Sequence, residues 1–257
     1  MLRFNGQSLV GTTIAPDSIH IPRFVQDCLG LDPQACFDTL VANTQWNDRT
    51  WDISRYRGHE LARTKAYYVQ PRAEDGALPR YGFPGFQYAQ MATYHPLDTF
   101  PALHELVGHI THSCTYNSEP VHVNHAILTH YVDESDNIGW HNDKVQDLVP
   151  NAPIISLSFG ASRSFSLGRP KKGKPEETEQ STLEAGDLFI LGPRTNTELR
   201  HAVLPTANPC GPRISLVLRD IATHVTPATA QAKANKTEEQ RAKKRQKASA
   251  EDGQGDE

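Results

Sequence analysis

The chain has 257 residues, of which 37% are hydrophobic and 22% are charged, and its formal net charge is −4. These values are typical of a soluble globular chain with one domain or two small ones, and no apolar run approaches the roughly 18 residues that a membrane helix needs. A nucleic-acid partner is not excluded, because a local basic groove can lie within an acidic average. We expect no contact with a membrane.

The four cysteines, Cys28, Cys36, Cys114 and Cys210, are scattered and form no CxxC pair. This spacing argues against a four-cysteine zinc site and favours a reducing compartment. The first residues, MLRFNGQSLVGTTIAPDS, lack the basic and then apolar build of a secretory signal. The sequence therefore predicts an intracellular protein, with cytoplasm and nucleus left open.

Two stretches of the first half have apolar residues at helical spacing. These residues are Ala35, Phe37, Leu40 and Val41 in DPQACFDTLVAN, and Leu103, Leu106, Val107 and Ile110 in PALHELVGHITHSC. Between the two predicted helices, TKAYYVQP and RYGFPGFQY are rich in aromatic residues and interrupted by Gly and Pro. Such segments are typical of short strands or lid loops.

The second half has the pattern of a sheet. Six short apolar or alternating runs are separated by Gly, Pro, Asn and Asp: HAILTHY, APIISLSFG, SRSFSLG, GDLFILG, HAVLPT and RISLVLRDI. Their spacing leaves no room for the crossover helices of a parallel sheet, so we predict a barrel or a two-sheet sandwich. The segment RPKKGKPEETEQST, from Arg169 to Thr182, is predicted to be a polar loop within this sheet.

The last segment, residues 226–257, contains no aromatic residue and almost no large aliphatic one. It cannot bury enough apolar surface to offset its ordering entropy, so we predict a disordered or marginally helical charged tail. Within it, RAKKRQK from Arg241 to Lys247 carries five positive charges in seven residues. A solubilising role and a nuclear-targeting or nucleic-acid-tethering role both remain open for this run.

The sequence GWHND places His141 and Asp143 two residues apart. In an extended chain such residues point to the same side, so that both side chains can reach one ion. However, chance predicts about one His-x-acid triplet in a chain with 12 histidines and 30 acidic residues. The pair alone does not exclude a surface histidine that hydrogen-bonds its neighbouring aspartate.

His201, at the head of the predicted strand HAVLPT, supplies a second imidazole. Two histidines and one carboxylate that leave three coordination positions open form the facial triad of non-haem iron(II) oxygenases. In RISLVLRDI, alternation places Arg213, Ser215, Val217 and Arg219 on one face. Arginines on an inward face need anionic partners: either a dicarboxylate co-substrate, which binds guanidinium in a bidentate fork, or internal Asp and Glu residues.

With His-x-Asp first, then His201, and then two arginines on the last strand, the chain resembles the AlkB family of oxidative nucleic-acid demethylases. The resemblance covers about Ile19 to Ile221, and its specific stretches are YVDESDNIGWHND, PIISLSFGASRSFSL, LEAGDLFILGPRTNTELRHAV and GPRISLVLRDI. It implies a mainly β fold with flanking helices (α+β), in which a double-stranded β-helix, or jelly-roll, core spans about 122–222. The expected organisation is an N-terminal arm over 1–18, a dioxygenase domain over 19–225 with a lid at about 60–95, and the tail.

By this resemblance, His141, Asp143 and His201 hold iron(II), and Arg213 binds the far carboxylate of 2-oxoglutarate. The other implied co-substrate contacts are Arg219, Tyr131, Thr129 and Ser215. With O2, oxidative decarboxylation of 2-oxoglutarate drives hydroxylation of a C–H bond. In demethylases the resulting N-hydroxymethyl group leaves as formaldehyde.

Three positions depart from the family pattern. The Asn-x-Tyr motif is Thr129-His130-Tyr131 here, and an asparagine often found two residues after the first arginine is Ser215; both substitutes still form hydrogen bonds. The third departure is Val145, which occupies the position of an Asp or Glu that reads the exocyclic amine of the alkylated base in DNA-repair members. Discrimination among lesions is therefore left open.

The implied partner is nucleic acid, either DNA or RNA, bound as a single strand or through a flipped base. We expect the protein to be a monomer. Candidate base-stacking residues are Tyr67, Tyr68, Tyr81 and Phe83, although the same rings would also serve to pack the lid onto the sheet. Two other functions remain open: the same oxygenase chemistry on a protein or small molecule, and a jelly-roll binding module without catalysis.

Overall fold

The architecture comes from a computed structural model, and the structure describes residues 2–47, 63–82 and 87–252. The strands are β1 Leu2–Phe4, β2 Gln7–Ser8, β3 Thr12–Ala15, β4 Ser18–Ile21, β5 Thr64–Val69, β6 Leu78–Pro79, β7 Tyr94–Pro96, β8 Cys114–Tyr116, β9 Glu119–Pro120, β10 His125–Tyr131, β11 Ile138–His141, β12 Ile154–Gly160, β13 Arg163–Arg169, β14 Glu176–Leu183, β15 Leu188–Leu191, β16 Arg200–Val203, β17 Arg213–Arg219 and β18 His224–Val225. The helices are α1 Phe24–Asp27, α2 Pro33–Asn43, α3 Gln87–Met91, α4 Pro101–Ser113, α5 Pro193–Glu198 and α6 Pro227–Asp252, with a 3-10 turn at Leu97–Thr99.

The strands from β10 to β17 are divided between two sheets, and the chain crosses from one sheet to the other at every step except between β13 and β14. A large sheet has the order β3-β4-β15-β12-β17-β10-β5-β7, and a small sheet has the order β11-β16-β13-β14. Of these eight strands, β10, β12, β15 and β17 belong to the large sheet and the other four make up the small one. This is the double-stranded β-helix, so the predicted fold class is confirmed, and all six predicted runs form strands.

The large sheet is covered on both faces, which explains why most residues of its central strands β10, β12, β15 and β17 are buried. Leu216 of β17 lies in the main core cluster together with Phe37 of α2 and Leu103 of α4. A second cluster, which includes Leu167 and Phe189, contains residues of both sheets. The helices therefore pack on the outer face of the large sheet, and its inner face is left for the functional site.

Both predicted helices are present. The Asp32 carboxylate caps α2 by accepting a hydrogen bond from a backbone N–H in the first turn, and a proline follows at the first helical position. Phe37 and Leu40 are buried under α2, whereas Ala35 and Val41 are exposed. All four apolar residues predicted for α4 are buried. The helical spacing thus predicted the buried face of α4 fully and that of α2 in part.

Two segments outside the six predicted strand runs contain strands. In the predicted N-terminal arm, β1 pairs with β8, β3 pairs with β4, and Leu2 is only 1% exposed. The predicted polar loop Arg169 to Thr182 contains most of β14, which pairs along β13 at the edge of the small sheet. The loop prediction was wrong because backbone pairing with a neighbour stabilises an exposed edge strand that has little apolar side-chain pattern of its own.

The predicted lid and tail also contain regular structure. β5 lies inside the large sheet between β10 and β7, so the strand interpretation of TKAYYVQP is the correct one. The tail forms the helix α6 as far as Asp252, which is the helical one of the two alternatives that the sequence left open. Ala230 and Ala234 are buried, and Lys233 Nζ donates to Tyr88 Oη at 2.9 Å. In the part of the chain that the structure describes, no helix is both long and apolar enough to cross a membrane.

Deletion of residues 226–257 is expected to leave the core folded, because the hydrophobic clusters of the two sheets and the helices contain no residue of α6. Lost contacts with Tyr88 should lower the melting temperature by roughly 2–6 °C. Circular dichroism melts of the deletion and of a control that lacks only residues 253–257 test this. Loss of the cooperative transition in the longer deletion would show that α6 is part of the core.

Candidate metal centre and co-substrate pocket

Three side chains from separate parts of the second half meet between the two sheets. His141 ends β11 and lies opposite His201 of β16 in the strand register, and their ring centroids are 4.1 Å apart. Asp143 follows two residues later, and its Oδ1 lies 3.9 Å from His141 Nε2. One potential ligand atom from each of the three residues lies within 4.8 Å of the other two. The structure thus brings together the three residues that the sequence predicts as metal ligands.

Asp143 lies just beyond the end of β11 at His141, so strand pairing does not hold its backbone. Two asparagines hold the segment instead. Asn142 Nδ2 donates to the carbonyl oxygens of Asn196, at 2.5 Å, and Leu199. The buried Asn196 accepts from Asp143 N at 2.9 Å and donates back to Asp143 O at 3.1 Å. The position of the carboxylate therefore depends on α5, which no local pattern predicts.

Burial and neighbouring charges set the protonation states of the cluster. Burial, assisted by His141, lowers the pKa of His201 to about 3, and burial also lowers the pKa of His141. Burial alone would raise the pKa of Asp143, but the charge of Arg219, joined at low pH by those of the protonated histidines, outweighs it and holds this pKa well below its usual range. At neutral pH the cluster is two neutral imidazoles and one carboxylate, the forms that bind a metal ion.

Hydrogen bonds around the histidines also suit a metal ion. His141 Nδ1 lies 2.8 Å from the carbonyl oxygen of Gly139, which favours a proton on Nδ1 and leaves Nε2 as the ligand atom facing Asp143. His201 Nδ1 is buried and has no hydrogen-bond partner among the described residues. Two imidazoles and one carboxylate are the ligand set of a non-haem iron(II) site, so the donor atoms present fit this metal.

The two arginines of β17 have different partners. Arg219 Nη2 donates to Asp143 Oδ2 at 2.6 Å, so the internal carboxylate, left open by the sequence, is its partner. Its Nε and Nη1 are buried and have no partner in the described ranges. Arg219 therefore orients the predicted metal ligand and keeps donors available for a second anion.

Arg213 is 1% exposed, and no carboxylate pairs with it among the described residues. Its Nη2 donates to Ser158 Oγ at 2.9 Å, and its guanidinium carbon lies 5.2 Å from the centre of the Tyr131 ring. Nε and Nη1 are buried without partners in the same ranges. Leaving a buried guanidinium so poorly paired is costly unless an anion enters, which is the geometry expected of a carboxylate-binding slot.

The other predicted co-substrate contacts lie on the same face of the large sheet. Thr129 is opposite Ser215 in the register, and Tyr131 is opposite Arg213. Ser215 Oγ lies 3.1 Å from Ser156 Oγ. Since paired residues of an antiparallel sheet share a face, these hydroxyl groups line the inner surface between Arg213 and Arg219.

The predicted base-stacking residues separate into three groups. Tyr81 is buried against the site: its Oη accepts from Lys144 N at 3.3 Å, and the Arg219 guanidinium lies 4.6 Å from its ring centre. Tyr67 lies on the face of β5 that points to the same site, where its ring is near that of His125. Tyr68 points to the opposite side, into the main core, so its prediction as a base-stacking residue is wrong. The strand alternation explains this difference, since neighbours point to opposite faces.

Phe83 lies outside the described residues, so its predicted role stays a prediction. Val145, just beyond Asp143, is 54% exposed. An exposed apolar side chain at this position supplies no hydrogen-bond acceptor next to the predicted metal ligand.

Several residues of the site were not predicted. Tyr94 and His125 complete an aromatic cluster with Tyr67 and Tyr81, with centroid distances of 5.3 to 6.5 Å around His125. Arg163 donates to three backbone carbonyl oxygens, those of Asp133, Asp136 and Leu204, and so anchors the loop before β11. Register alone could have indicated His125, which lies opposite Arg219.

Comparison with known proteins agrees with the ligand set described above. Residues 33–219 match the family described as the 2OG-Fe(II) oxygenase superfamily. The human protein named DNA oxidative demethylase ALKBH2 (Homo sapiens) is 29% identical over 220 residues, which cover 82% of this chain and 79% of that protein. The mouse (Mus musculus) protein of the same name is 35% identical over 103 residues, 38% of this chain and 43% of that protein.

A second relative is the mouse Alpha-ketoglutarate-dependent dioxygenase alkB homolog 3, which is 29% identical over 164 residues, 60% of this chain and 53% of that protein. The chain thus matches about half the length of each of these two mouse relatives. These names confirm the resemblance to the AlkB family.

Proposed function

Because the chain belongs to the 2OG-Fe(II) oxygenase superfamily, we propose that it oxidatively demethylates alkylated bases of nucleic acid. The observation that carries this proposal is the cluster of His141, Asp143 and His201 on the same inner surface as the poorly paired guanidinium of Arg213. The cofactors of this family are iron(II), 2-oxoglutarate and O2. His141, Asp143 and His201 hold the iron, and Arg213 holds the far carboxylate of 2-oxoglutarate.

Bound iron(II) with 2-oxoglutarate and O2 supplies the oxidant that hydroxylates a C–H bond. The protein contributes position and polarity. Arg219 orients the Asp143 carboxylate at 2.6 Å and keeps it ionised, and Asn196 fixes the backbone at the same residue. Arg213 and the hydroxyl groups of Thr129 and Ser215 orient the co-substrate by charge and hydrogen bonds.

A nucleic-acid base is the substrate that suits the remaining surface. The partly exposed rings of Tyr67 and Tyr94 pack with the buried Tyr81 and His125 next to Arg219, and aromatic faces stack unpaired bases with little dependence on sequence. The human and mouse relatives are named DNA oxidative demethylases, which supports the same substrate class here. An unpaired base fits this site better than a duplex one, because the target must leave the stack to reach the metal.

Formaldehyde release tests the proposal. The full chain with iron(II) and 2-oxoglutarate is incubated with methylated single-stranded DNA, duplex DNA, RNA and free nucleotides, and formaldehyde and succinate are measured. We expect both products with at least one polymer. Succinate without formaldehyde on any of them would indicate a protein or small-molecule substrate. No succinate in any reaction, with the metal bound, would indicate a binding module and overturn the proposal.

Val145→Asp is expected to raise turnover of bases that carry an exocyclic amine, such as 3-methylcytosine, by about tenfold, because a carboxylate would accept a hydrogen bond from that amine. Turnover of 3-methylthymine, which has a carbonyl oxygen there, should not rise. Val145→Thr, of similar shape but uncharged, is the control. An equal gain with threonine, or no gain for 3-methylcytosine, would show that this position does not read the base.

A further inference from the structure

Lys65 lies on the inner face of the large sheet, and the sequence analysis assigned it no role. In the register of β5, β10 and β17, Lys65 is opposite Thr129, which is opposite Ser215. Directly paired residues share a face, with Cβ atoms about 5 Å apart. Alternation along β17 places Arg213 and Arg219 on that face too. The ammonium group of Lys65 is therefore directed to the space between the two sheets.

Within the described ranges, no hydrogen bond or ion pair engages the ammonium of Lys65. Arg63 lies on the same face of β5 and Arg219 lies across the sheet, so the nearby charges are mostly positive. Asp143 is the acidic group that acts on Lys65, and it already pairs with Arg219. A half-buried cation in this position lacks an anion of its own.

The co-substrate is the anion that enters this space. A 2-oxoglutarate dianion whose far carboxylate is bound by Arg213 must reach with its other end to the metal ligands. In the strand register Lys65 lies level with Ser215, which is two residues closer to Arg219 than Arg213 is. The charge of Lys65 also acts on His141. Its ammonium has three N–H donors and no acceptor, which suits a carboxylate and not another donor.

We propose that Lys65 binds the metal-side carboxylate of 2-oxoglutarate, the one adjacent to the keto group, together with the free donors of Arg219. The inference rests on the proposed function, because it takes 2-oxoglutarate as the co-substrate. Arg213 and Lys65 then act at opposite ends of one dianion.

Calorimetric titration of 2-oxoglutarate into the full chain loaded with manganese(II), a redox-inert substitute for iron(II), tests this without any turnover. Lys65→Met should weaken binding by about 10- to 100-fold, the usual effect of losing a hydrogen bond to a charged group. Lys65→Arg should retain most of the affinity. Lys171→Met, which removes the same charge from an exposed loop, should have no effect. Thermal melts should show Lys65→Met at least as stable as wild type, since it removes a half-buried charge that lacks an anion of its own.

A second ligand separates the two ends of the co-substrate. 2-Oxobutyrate keeps the keto group and the adjacent carboxylate but lacks the far carboxylate. Lys65→Met should weaken 2-oxobutyrate by the same factor as 2-oxoglutarate, whereas Arg213→Met should weaken only 2-oxoglutarate. A loss confined to 2-oxoglutarate would place Lys65 at the far carboxylate and overturn the inference.

Proton uptake gives an independent measurement. Burial, with the charges of Arg63 and Arg219, lowers the pKa of Lys65 to about 7 in the ligand-free protein. A bound carboxylate raises that pKa again, so at pH 8 binding should take up a fraction of a proton that approaches one. Titrations in buffers with different ionisation enthalpies measure this uptake, which Lys65→Met should abolish.

The outcomes distinguish the inference from the function on which it rests. If wild type binds no 2-oxoglutarate, both fail. If wild type binds and Lys65→Met binds equally well, only the role of Lys65 fails. In that case, weaker binding of a methylated oligonucleotide by Lys65→Met would assign this lysine to the nucleic acid instead.

Discussion

Replacement of His141 by alanine is expected to abolish turnover, because it removes one of three ligands that no other described side chain replaces. Loss of a residue that hydrogen-bonds a metal ligand already lowers metal affinity by about 10- to 100-fold. Loss of the ligand itself should therefore lower metal affinity by more than about 100-fold. Anaerobic titration of iron(II) and a succinate assay measure the two effects. His141 is partly exposed, so the truncated side chain should leave the fold intact.

His112→Ala on the exposed side of α4 is the matched control, with wild-type metal affinity expected. Asp143→Asn provides a second test: the amide oxygen still accepts from Arg219, but the charged ligand is lost. Both site variants should keep a cooperative melt. Wild-type succinate production by both variants would remove the metal hypothesis.

Replacement of Arg213 by methionine is expected to weaken 2-oxoglutarate binding by about 2–5 kcal/mol, the usual cost of breaking a buried charge pair. Methionine is similar in length to the fully buried arginine that it replaces, so the substitution changes the buried volume little. In the absence of 2-oxoglutarate the variant should be at least as stable as wild type, because the guanidinium it removes is poorly paired. Affinity and stability should therefore change in opposite directions.

Titration of 2-oxoglutarate into the manganese(II)-loaded protein and a thermal melt without ligand measure these two quantities. Arg169→Met at the exposed end of β13 is the control for loss of a positive charge. An unchanged affinity in Arg213→Met would show that the carboxylate slot is elsewhere. A large loss of stability without ligand would show that Arg213 serves the fold.

Periodicity was sufficient for much of the fold. The six predicted strands and both predicted helices are present, because each has apolar residues at a spacing that buries one face or two. The strands β1, β3 and β14 were missed, since backbone pairing with neighbouring strands stabilises them and their own apolar side-chain pattern is weak. For residues 226–257 the sequence left disorder and a marginal helix open, because the segment has so few apolar residues; the structure forms the helix α6, which packs against α3 and buries two alanines.

From the sequence alone, the order of motifs and their resemblance to the AlkB family predicted His141, Asp143 and His201 as metal ligands. Alternation along one strand, which is a local property, predicted that Arg213 and Arg219 share a face. Only the tertiary structure decided that Arg219 pairs with Asp143, that Asn196 holds the backbone there, and that Lys65 shares the inner face. Each of these depends on which strands and helices become neighbours, and that is set by sheet pairing over tens of residues and not by any local pattern.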